Sequence, residues 1–121
     1  MDQRSFDSMS ADNGMSPEVL KGHLDLLLLS AVGEAPAHGY AIAETLRVRS
    51  RQAFDLPEGT LYPALHRLER SALLSSRWSD ESGRRRRVYQ LTAKGRRALE
   101  LRRREWRDFA RAVQAVAGGR A

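Results

Sequence analysis

Residues 57–70 read Pro57-Glu-Gly-Thr-Leu-Tyr-Pro-Ala-Leu-His-Arg-Leu-Glu-Arg70 and have the spacing of an amphipathic helix. A period of 3.6 residues groups the apolar side chains on one side of this helix. That side holds Leu61, Ala64, Leu65 and Leu68. The opposite side holds Gly59, Tyr62, Pro63, His66 and Arg70. Its hydroxyl, imidazole and guanidinium groups suit phosphates and base edges. On its own, such a face is more often simply solvated, so the rest of the chain decides between the two interpretations.

The length and composition indicate one small domain. The chain has 121 residues, enough for a single modest core. It has no Cys, which excludes disulfides and thiolate metal sites. The first residues lack the basic start and apolar run of a signal peptide, and no apolar stretch approaches the length of a bilayer span. We therefore expect a cytoplasmic protein with no membrane partner.

The basic charge is concentrated in one region of the chain. The whole sequence carries 21 Lys and Arg against 15 Asp and Glu, a net charge of +6. Residues 1–60 hold 5 basic and 9 acidic side chains, whereas residues 84–107 hold 11 basic and 2 acidic ones. A field polarised in this way favours a polyanion, most often nucleic acid and less often an anionic membrane surface or an acidic small ligand.

The N-terminal part of the chain predicts a polar tail and then a helix that is apolar on nearly all sides. Residues 1–15 are too polar to bury much and are predicted to be disordered. Ser16 fits an N-cap with Pro17 at the first helical position, and the helix is expected to run to about Val32. From Leu26 onward its apolar residues wrap almost the whole circumference. We expect one side of this helix to face the core and the other side to face a second subunit.

Two further helices complete a predicted helix-turn-helix. His38-Gly-Tyr40 opens the second helix after a connection at residues 33–37 that contains Gly and Pro. Residues 52–56 have the length of the turn, and residues 57–70 form the third helix, which is the recognition helix. Because Pro63 cannot donate a backbone hydrogen bond, regular helix is expected from about Gly59, or else with a bent first turn.

A short β-hairpin is predicted after the third helix. Residues 73–79 alternate between two faces, Asp80-Glu-Ser-Gly83 supplies a turn, and residues 84–91 form the return strand. Four consecutive arginines, Arg84 to Arg87, stand just past the tip. A charge run is usually a solvated face. Beside a helix-turn-helix, however, a hairpin in this place is the wing that contacts phosphates or enters a minor groove, and we favour DNA contact.

A long amphipathic helix closes the chain. Thr92 is its predicted N-cap, and the helix is expected to run to about Val116. Its seam has alternating spacings of three and four residues and holds Leu99, Arg102, Trp106, Phe109, Val113 and Val116. A domain of this size has no core left to cover such a seam, so we expect the partner of this helix to be a second subunit.

The predicted fold class is mainly α with a small β-hairpin. A winged helix-turn-helix occupies residues 16–91 and a C-terminal dimerisation helix occupies residues 92–117, with disordered tails at 1–15 and 118–121. The residues predicted at the dimer interface are Leu20, Leu24, Leu27, Leu28, Leu99, Trp106, Phe109, Val113 and Val116.

Four motifs, in unbroken order, resemble the PadR family of bacterial transcription regulators. They are Leu20-Lys-Gly-His-Leu-Asp-Leu-Leu-Leu-Leu29, His38-Gly-Tyr40, Gly59-Thr-Leu-Tyr-Pro-Ala-Leu-His-Arg-Leu-Glu69 and Arg87-Val-Tyr-Gln-Leu-Thr-Ala-Lys-Gly95. The single last helix resembles the short-tailed branch of the family. The resemblance implies a winged-helix homodimer that represses transcription by binding a palindromic operator and is released when a small molecule binds. The chain departs from the family pattern at Ser71-Ala72, where a Gly often closes the third helix, and at Leu56, where a small hydroxyl residue often caps it.

The resemblance also assigns candidate roles to residues of this chain. The recognition helix and the wing match the family motifs at Thr60 to His66 and at Gly83 to Arg87. The candidate DNA-binding residues are His38, Tyr40, Thr60, Tyr62, Pro63, His66, Arg67, Arg84, Arg85, Arg86 and Arg87. Trp106 stands where multidrug-binding members of the short-tailed branch stack a flat aromatic ligand, although a Trp on a helical seam is more often a packing residue.

Two other classes of function are weighed against a DNA-binding repressor. A ligand-sensing or interaction module of the same fold would use the Arg cluster to hold an acidic small ligand, but would leave the surface of Tyr62 and His66 unused. An enzyme is not expected, because the chain has no nucleophile elbow and no Gly-rich phosphate loop. No metal or cofactor is expected either, since the three histidines are not spaced as metal ligands, and His38 at a helix start more often satisfies local hydrogen bonds.

Overall fold

The order of helices and strands follows the predicted winged helix-turn-helix. The computed structural model describes residues 17–81 and 83–119. Its elements are α1 (Pro17–Lys21), α2 (Leu24–Glu34), β1 (Ala37–His38), α3 (Gly39–Arg49), α4 (Glu58–Arg70), β2 (Leu74–Ser79), β3 (Arg86–Leu91) and α5 (Ala93–Ala117). Helices α3 and α4 form the helix-turn-helix, and the hairpin of β2 and β3 forms the wing. The predicted tail at residues 1–15 and the predicted cap at Ser16 lie outside the described residues.

The predicted first helix is divided in two. Helix α1 ends at Lys21, and α2 begins at Leu24. Between them the amide of His23 donates to the carbonyl of Leu20 at 2.9 Å, an i to i−3 bond that closes a tight turn. Gly22 occupies this turn, where its lack of a side chain disfavours regular helix. Periodicity alone did not reveal this break, because the apolar pattern continues across it.

Helix α2 is the centre of the core. It contacts α3, α4, α5 and β3 of the same chain, and Leu28 and Leu29 are fully buried, with 0% of their surface exposed. The dimer-interface prediction is therefore wrong for Leu28. It is also wrong for Leu99, which is 5% exposed and packs close to Gly33 of α2. Both residues are enclosed by their own protomer, because more elements surround α2 than the sequence pattern indicated.

A three-stranded antiparallel sheet lies behind the helices in the order β1-β3-β2. In the wing, Leu74 pairs with Leu91 and Trp78 pairs with Arg87. The two-residue strand β1 adds to the other edge of β3, so that His38 pairs with Val88. Sequence patterns predicted only the hairpin, because a two-residue strand carries no alternation. Because β1 directly precedes α3, this pairing fixes the start of α3 beside β3, the strand that carries Arg86 and Arg87.

The recognition helix α4 has well-defined ends. Its first turn is closed by Pro57, whose carbonyl accepts from the amides of Thr60 and Leu61, both at 2.9 Å. Pro63 lies inside the helix without ending it. At the C-terminus, Leu73 N donates to Leu68 O at 3.0 Å and Ala72 N donates to Glu69 O at 2.9 Å. These two bonds form a Schellman motif. Ala72 has a φ of 66°, in the left-handed region that favours glycine.

The start of α5 is fixed to the end of α4. Thr92 caps α5 as predicted, because its hydroxyl accepts from the amide of Gly95 at 2.9 Å and donates to the carbonyl of Ala72 at 2.7 Å. A Cβ on Gly95 would lie 2.0 Å from the carbonyl oxygen of Leu73, so only glycine permits this approach. From about Arg103 onward, the side chains of α5 are almost all exposed. No helix within residues 17–81 and 83–119 is long and apolar enough to span a bilayer.

We predict that Ala72→Gly stabilises the protein by roughly 0.5 to 1 kcal/mol. Relief of left-handed strain, about 1 to 2 kcal/mol, outweighs the extra backbone entropy that glycine loses on folding, about 0.5 to 1 kcal/mol. Chemical denaturation monitored by circular dichroism gives the change in unfolding free energy. The matched control is Ser71→Gly one residue earlier, which should destabilise because Ser71 has an ordinary φ of −83°. A destabilised Ala72→Gly variant would contradict the role assigned to this position.

Candidate nucleic-acid interface

A groove separates the recognition helix from the wing. We call it the wing groove. It has a volume of about 540 Å³ and is lined by His38, Gly39, Tyr40, Tyr62, Trp78, Arg84, Arg85, Arg86 and Arg87. The N-terminal end of α3, the flank of α4 and the arginine run of the wing therefore meet at one place. Seven of the predicted DNA-binding residues are among the lining residues.

Tyr62 lies in this groove because glycine stands opposite to it. A Cβ on Gly39 would lie 2.5 Å from both the Tyr62 ring and its hydroxyl, so any other residue would displace the ring. The ring is half-buried against the start of α3, and its hydroxyl lies at the wing groove. This contact explains why position 39 is a glycine. It also places Tyr62 on the wing side of α4 and not at the centre of its exposed face.

His38 joins three elements at the floor of the groove. Its Nδ1 accepts from the amide of Ala41 at 3.3 Å, at the first turn of α3, and its Nε2 lies 2.6 Å from Nη1 of Arg86. A neutral imidazole accepts at only one nitrogen, so the two contacts compete, and the guanidinium contact is the shorter. Burial, and then the positive charge of Arg86, lower the pKa of His38 below its ordinary value.

Trp78 organises two of the wing arginines. The guanidinium carbon of Arg85 lies 4.7 Å from the centroid of its ring, and that of Arg87 lies 5.2 Å away. Both distances are within cation–π range. Sequence patterns did not mark Trp78 as a functional residue, because the hairpin accounted for it as a strand residue. The pairing of Trp78 with Arg87 across the hairpin was the signal that could have indicated a contact between this ring and the wing arginines.

Glu69 ties the wing to the recognition helix. Its carboxylate accepts from the hydroxyl of Ser76 at 2.6 Å and lies 3.6 Å from Nη2 of Arg87. Burial, with Glu69 as the second cause, raises the pKa of the nearby Tyr89 hydroxyl. Among the four arginines, Arg86 and Arg87 are thus engaged by polar neighbours. Arg84 and Arg85 form no ion pair with any residue in the described ranges.

The predicted reading residues of α4 other than Tyr62 lie outside the wing groove. Pro63 and His66 are exposed on α4, and Thr60 is half-buried beside them. Tyr40 is exposed at the rim of the groove and stacks on His38 with ring centroids 6.4 Å apart. Arg67 is directed elsewhere, because its Nη2 lies 2.6 Å from Oδ1 of Asp25 on α2. DNA contact by Arg67 would require it to leave this ion pair.

A second groove lies beside the C-terminal helix. We call it the seam groove. It has a volume of about 420 Å³ and is lined by Val19, Leu20, His23, Leu26, Leu27, Phe54, Trp106 and Phe109. The Trp106 ring meets the His23 ring edge-on, with centroids 5.3 Å apart. Trp106 thus lies in an apolar groove, as a packing residue or an aromatic-ligand platform would.

The remaining dimer-interface candidates fall into two groups. Leu20, Leu24 and Leu27 are half-buried and pack against the core from its edge. On α5, Trp106 is 44% exposed, Phe109 55%, Val113 44% and Val116 89%. Within the described part of the chain, no three His, Cys, Asp or Glu side chains are grouped to hold a metal ion.

The chain is similar to known transcription regulators over most of its length. Residues 28–101 match the family described as "Transcriptional regulator PadR-like family". The transcriptional regulator Rv3488 of Mycobacterium tuberculosis is 38% identical over 96 residues, which cover 79% of this chain and 87% of that protein. A PadR family transcription regulator from Clostridium difficile is 38% identical, with a TM-score of 0.68 over 77% of this chain and 96% of its own.

A transcriptional regulator from Clostridium thermocellum has a TM-score of 0.76 at 27% identity, over 83% of this chain and 98% of its own. The matched region runs from α2 through the recognition helix and the wing into α5. These relatives are described as regulators of transcription. The resemblance seen in the four sequence motifs is therefore confirmed, and the chain belongs to the PadR-like family of transcriptional regulators.

Proposed function

We propose that this regulator is a homodimeric repressor that binds a palindromic operator and is released by a small molecule. The observation that carries the proposal is the wing groove, where four consecutive arginines converge on one flank of the recognition helix. In this arrangement α4 enters the major groove with His66 and Pro63 foremost, and the wing lies along the phosphate backbone. Residues on α4 supply sequence discrimination, whereas the arginines supply affinity for any sequence.

The four arginines are unequal in this scheme. Arg84 and Arg85 are exposed near the tip of the wing and form no ion pair with a described residue, so phosphates are their natural partners. Arg86 and Arg87 are half-buried, with His38 and Glu69 as their neighbours. They hold the wing in place and add positive potential behind it. An acidic small ligand in the same groove is the alternative function, because it would pair with the same two guanidinium groups, which have no ion pair with a described residue.

The seam on α5 supports a second copy of the chain as the partner. Trp106, Phe109 and Val113 follow spacings of three and four residues and remain about half exposed in the protomer. Exposed apolar stripes of this kind mark interfaces. A two-fold dimer would bring two recognition helices to half-sites about one helical turn apart, which is why we infer a palindromic operator.

The seam groove is the proposed effector site. Its lining is apolar apart from His23, and Trp106 offers a flat surface for a planar aromatic molecule. Because the groove adjoins the α5 seam, an occupant would alter the packing of the two subunits and hence the separation of their recognition helices. This gives a physical route from binding at the seam to release of the operator.

We predict that Tyr62→Ala and His66→Ala reduce discrimination between operator and random DNA. If either group reads a base edge, each substitution reduces discrimination by about 1 to 3 kcal/mol. The measurement is a gel-shift assay on the DNA upstream of the protein's own gene, with a random duplex as competitor and a series of flat aromatic compounds as effectors. If no duplex is bound at all, the acidic-ligand alternative is favoured.

A second set of variants distinguishes the recognition of bases from the binding of phosphates in the same assay. Arg84→Gln with Arg85→Gln should weaken binding to every sequence and flatten the dependence of log K on log salt by about 0.9 for each phosphate that is no longer neutralised. Arg77→Gln is the matched control, since Arg77 is an exposed arginine of the wing that does not line the groove. Parent-like binding by both the reading variants and the arginine variants would overturn the assigned roles.

We predict that the His38 ring reports on phosphate in the wing groove. Its NMR titration midpoint should lie below the ordinary value of about 6.5 in the free protein. Arg86→Gln should raise the midpoint only in part, because burial is the larger cause.

Added duplex should raise the titration midpoint of His38, since phosphates stabilise the imidazolium form. DNA binding would then take up a proton, so affinity should increase as pH falls through the midpoint of the DNA-bound protein and should level off below the midpoint of the free protein. A midpoint that DNA leaves unchanged would place His38 outside the interface.

We predict that Val113→Glu produces monomers at micromolar concentration, whereas the parent protein forms dimers. A carboxylate on the seam would have to be buried without a partner, at a cost of several kcal/mol. Ala115→Glu is the matched control, because Ala115 lies on the opposite side of the same exposed turn. Light scattering measures the mass of each. A monomeric parent protein would contradict the role of the α5 seam.

A further inference from the structure

We infer that Asp25 is a positioning residue that withholds Arg67 of the recognition helix from DNA. The inference rests on the proposed function, since it concerns how many phosphates the regulator binds. Arg67 is a basic residue on a helix that binds DNA in this scheme, yet its guanidinium points to α2 and not to the wing groove. The Asp25 carboxylate is what holds it there.

The ion pair between the two residues is close and joins distant parts of the chain. Nη2 of Arg67 lies 2.6 Å from Oδ1 of Asp25, although 42 positions separate them. Arg67 lies seven residues after Thr60 and therefore on the same side of α4 as that predicted reading residue, and its ion pair with Asp25 shows that this flank adjoins α2. The long side chain of Arg67 could reach from this flank toward DNA, but the Asp25 carboxylate binds its guanidinium on the side of α2.

The same carboxylate also faces the C-terminal helix. Its second oxygen, Oδ2, lies 3.8 Å from Nη2 of Arg102 on α5. One negative charge thus serves two guanidinium groups on two different helices. Nε of Arg102 is buried without a hydrogen-bond partner in the described residues, so this second guanidinium is incompletely satisfied and competes for Asp25. Since Arg102 is one turn before Trp106, Asp25 connects the recognition helix with the seam on α5.

A purely structural ion pair would have different consequences. Partly exposed ion pairs contribute little to stability, so their removal barely changes folding and leaves the number of bound phosphates unchanged. If Asp25 withholds Arg67, removing the carboxylate releases one more cation toward the DNA. One additional bound phosphate steepens the slope of log K against log salt by about 0.9, which is roughly a threefold larger decrease in affinity between 50 and 200 mM salt.

The test measures this slope on four proteins. Fluorescence anisotropy with a labelled duplex of about 30 base pairs, long enough for two half-sites a helical turn apart, is recorded across a salt series. The proteins are the parent, Asp25→Asn, Arg67→Gln and Asp25→Asn with Arg67→Gln. We expect Asp25→Asn to bind more tightly at low salt with the steeper slope. Arg67→Gln should keep the parent slope, and the double variant should return to it.

Asp108→Asn is the matched control. It removes one carboxylate from another Arg–Asp pair, an exposed pair within one helix, in which Nη2 of Arg111 lies 2.7 Å from Oδ1 of Asp108 on the far half of α5. The change in net charge is the same, so a general electrostatic effect would appear in both variants. Asp25→Asn releases Arg67 and Arg102, whereas this control releases neither, and the double variant isolates the part of the effect that depends on Arg67. Thermal unfolding of each variant confirms the fold, and Asp25→Ser replaces Asp25→Asn if the latter is unfolded.

Two outcomes would overturn the inference while leaving the proposed function intact. In one, Asp25→Asn has the same slope as the parent or as Asp108→Asn. In the other, Arg67→Gln flattens the parent slope, which would mean that Arg67 already binds phosphate with Asp25 in place. Failure of the proposed function looks different, because the parent itself would then show no salt-dependent binding to the duplex.

Discussion

The burial of Leu28, Leu29, Ala31 and Val32 on α2 is the constraint on which the rest of the structure depends. This helix contacts α3, α4, α5 and β3, and its Leu28 and Leu29 are fully buried, so these elements pack around one helix. Burial of one leucine contributes about 1.5 to 3 kcal/mol, whereas an exposed ion pair contributes about 0 to 1 kcal/mol. Packing on α2 therefore fixes where the elements lie. The ion pairs between their surfaces only adjust where the polar side chains point.

The wing presents the opposite physical problem, because four arginines in succession repel one another. The fold separates them by giving them different neighbours. Arg85 and Arg87 stack on Trp78, Arg87 also approaches Glu69, and Arg86 meets the imidazole of His38. Each of these neighbours disperses positive charge while leaving the groove strongly basic. Burial of its ring, and then the positive charge of Arg86, lower the pKa of His38.

Much of the fold follows from local sequence signals. The cap at Thr92, the extent of α4 and the hairpin were predictable because helix ends, periodicity and turns depend on neighbouring residues. The break at Gly22 and the two-residue strand β1 were not, since neither interrupts an apolar pattern. Leu28 and Leu99 were assigned to the wrong surface, because periodicity identifies apolar residues but not how many elements surround them.

The candidate site was predictable in composition but not in arrangement. The sequence identified Tyr62, His66 and the arginine run, and the fold places Tyr62 and the arginines at one groove. The sequence alone could not identify the cation–π contacts of Trp78 with two arginines, because these contacts depend on the register of the hairpin. Nor could it identify the pairing of Arg67 with Asp25, since ion pairs between residues far apart in the chain exist only after the helices have packed.

The junction at Thr92 makes the last helix a rigid lever. Thr92 bonds to the end of α4, and Gly95 rests on the backbone of Leu73, so the first turn of α5 cannot tilt independently of the recognition helix. Helix α5 has 25 residues and is about 37 Å long. A difference of about 5° in the angle that this junction fixes would displace the far end of α5 by about 3 Å. In a two-fold assembly joined at the far ends, the spacing of half-sites would be set by this angle, independently of the side chains that read the bases.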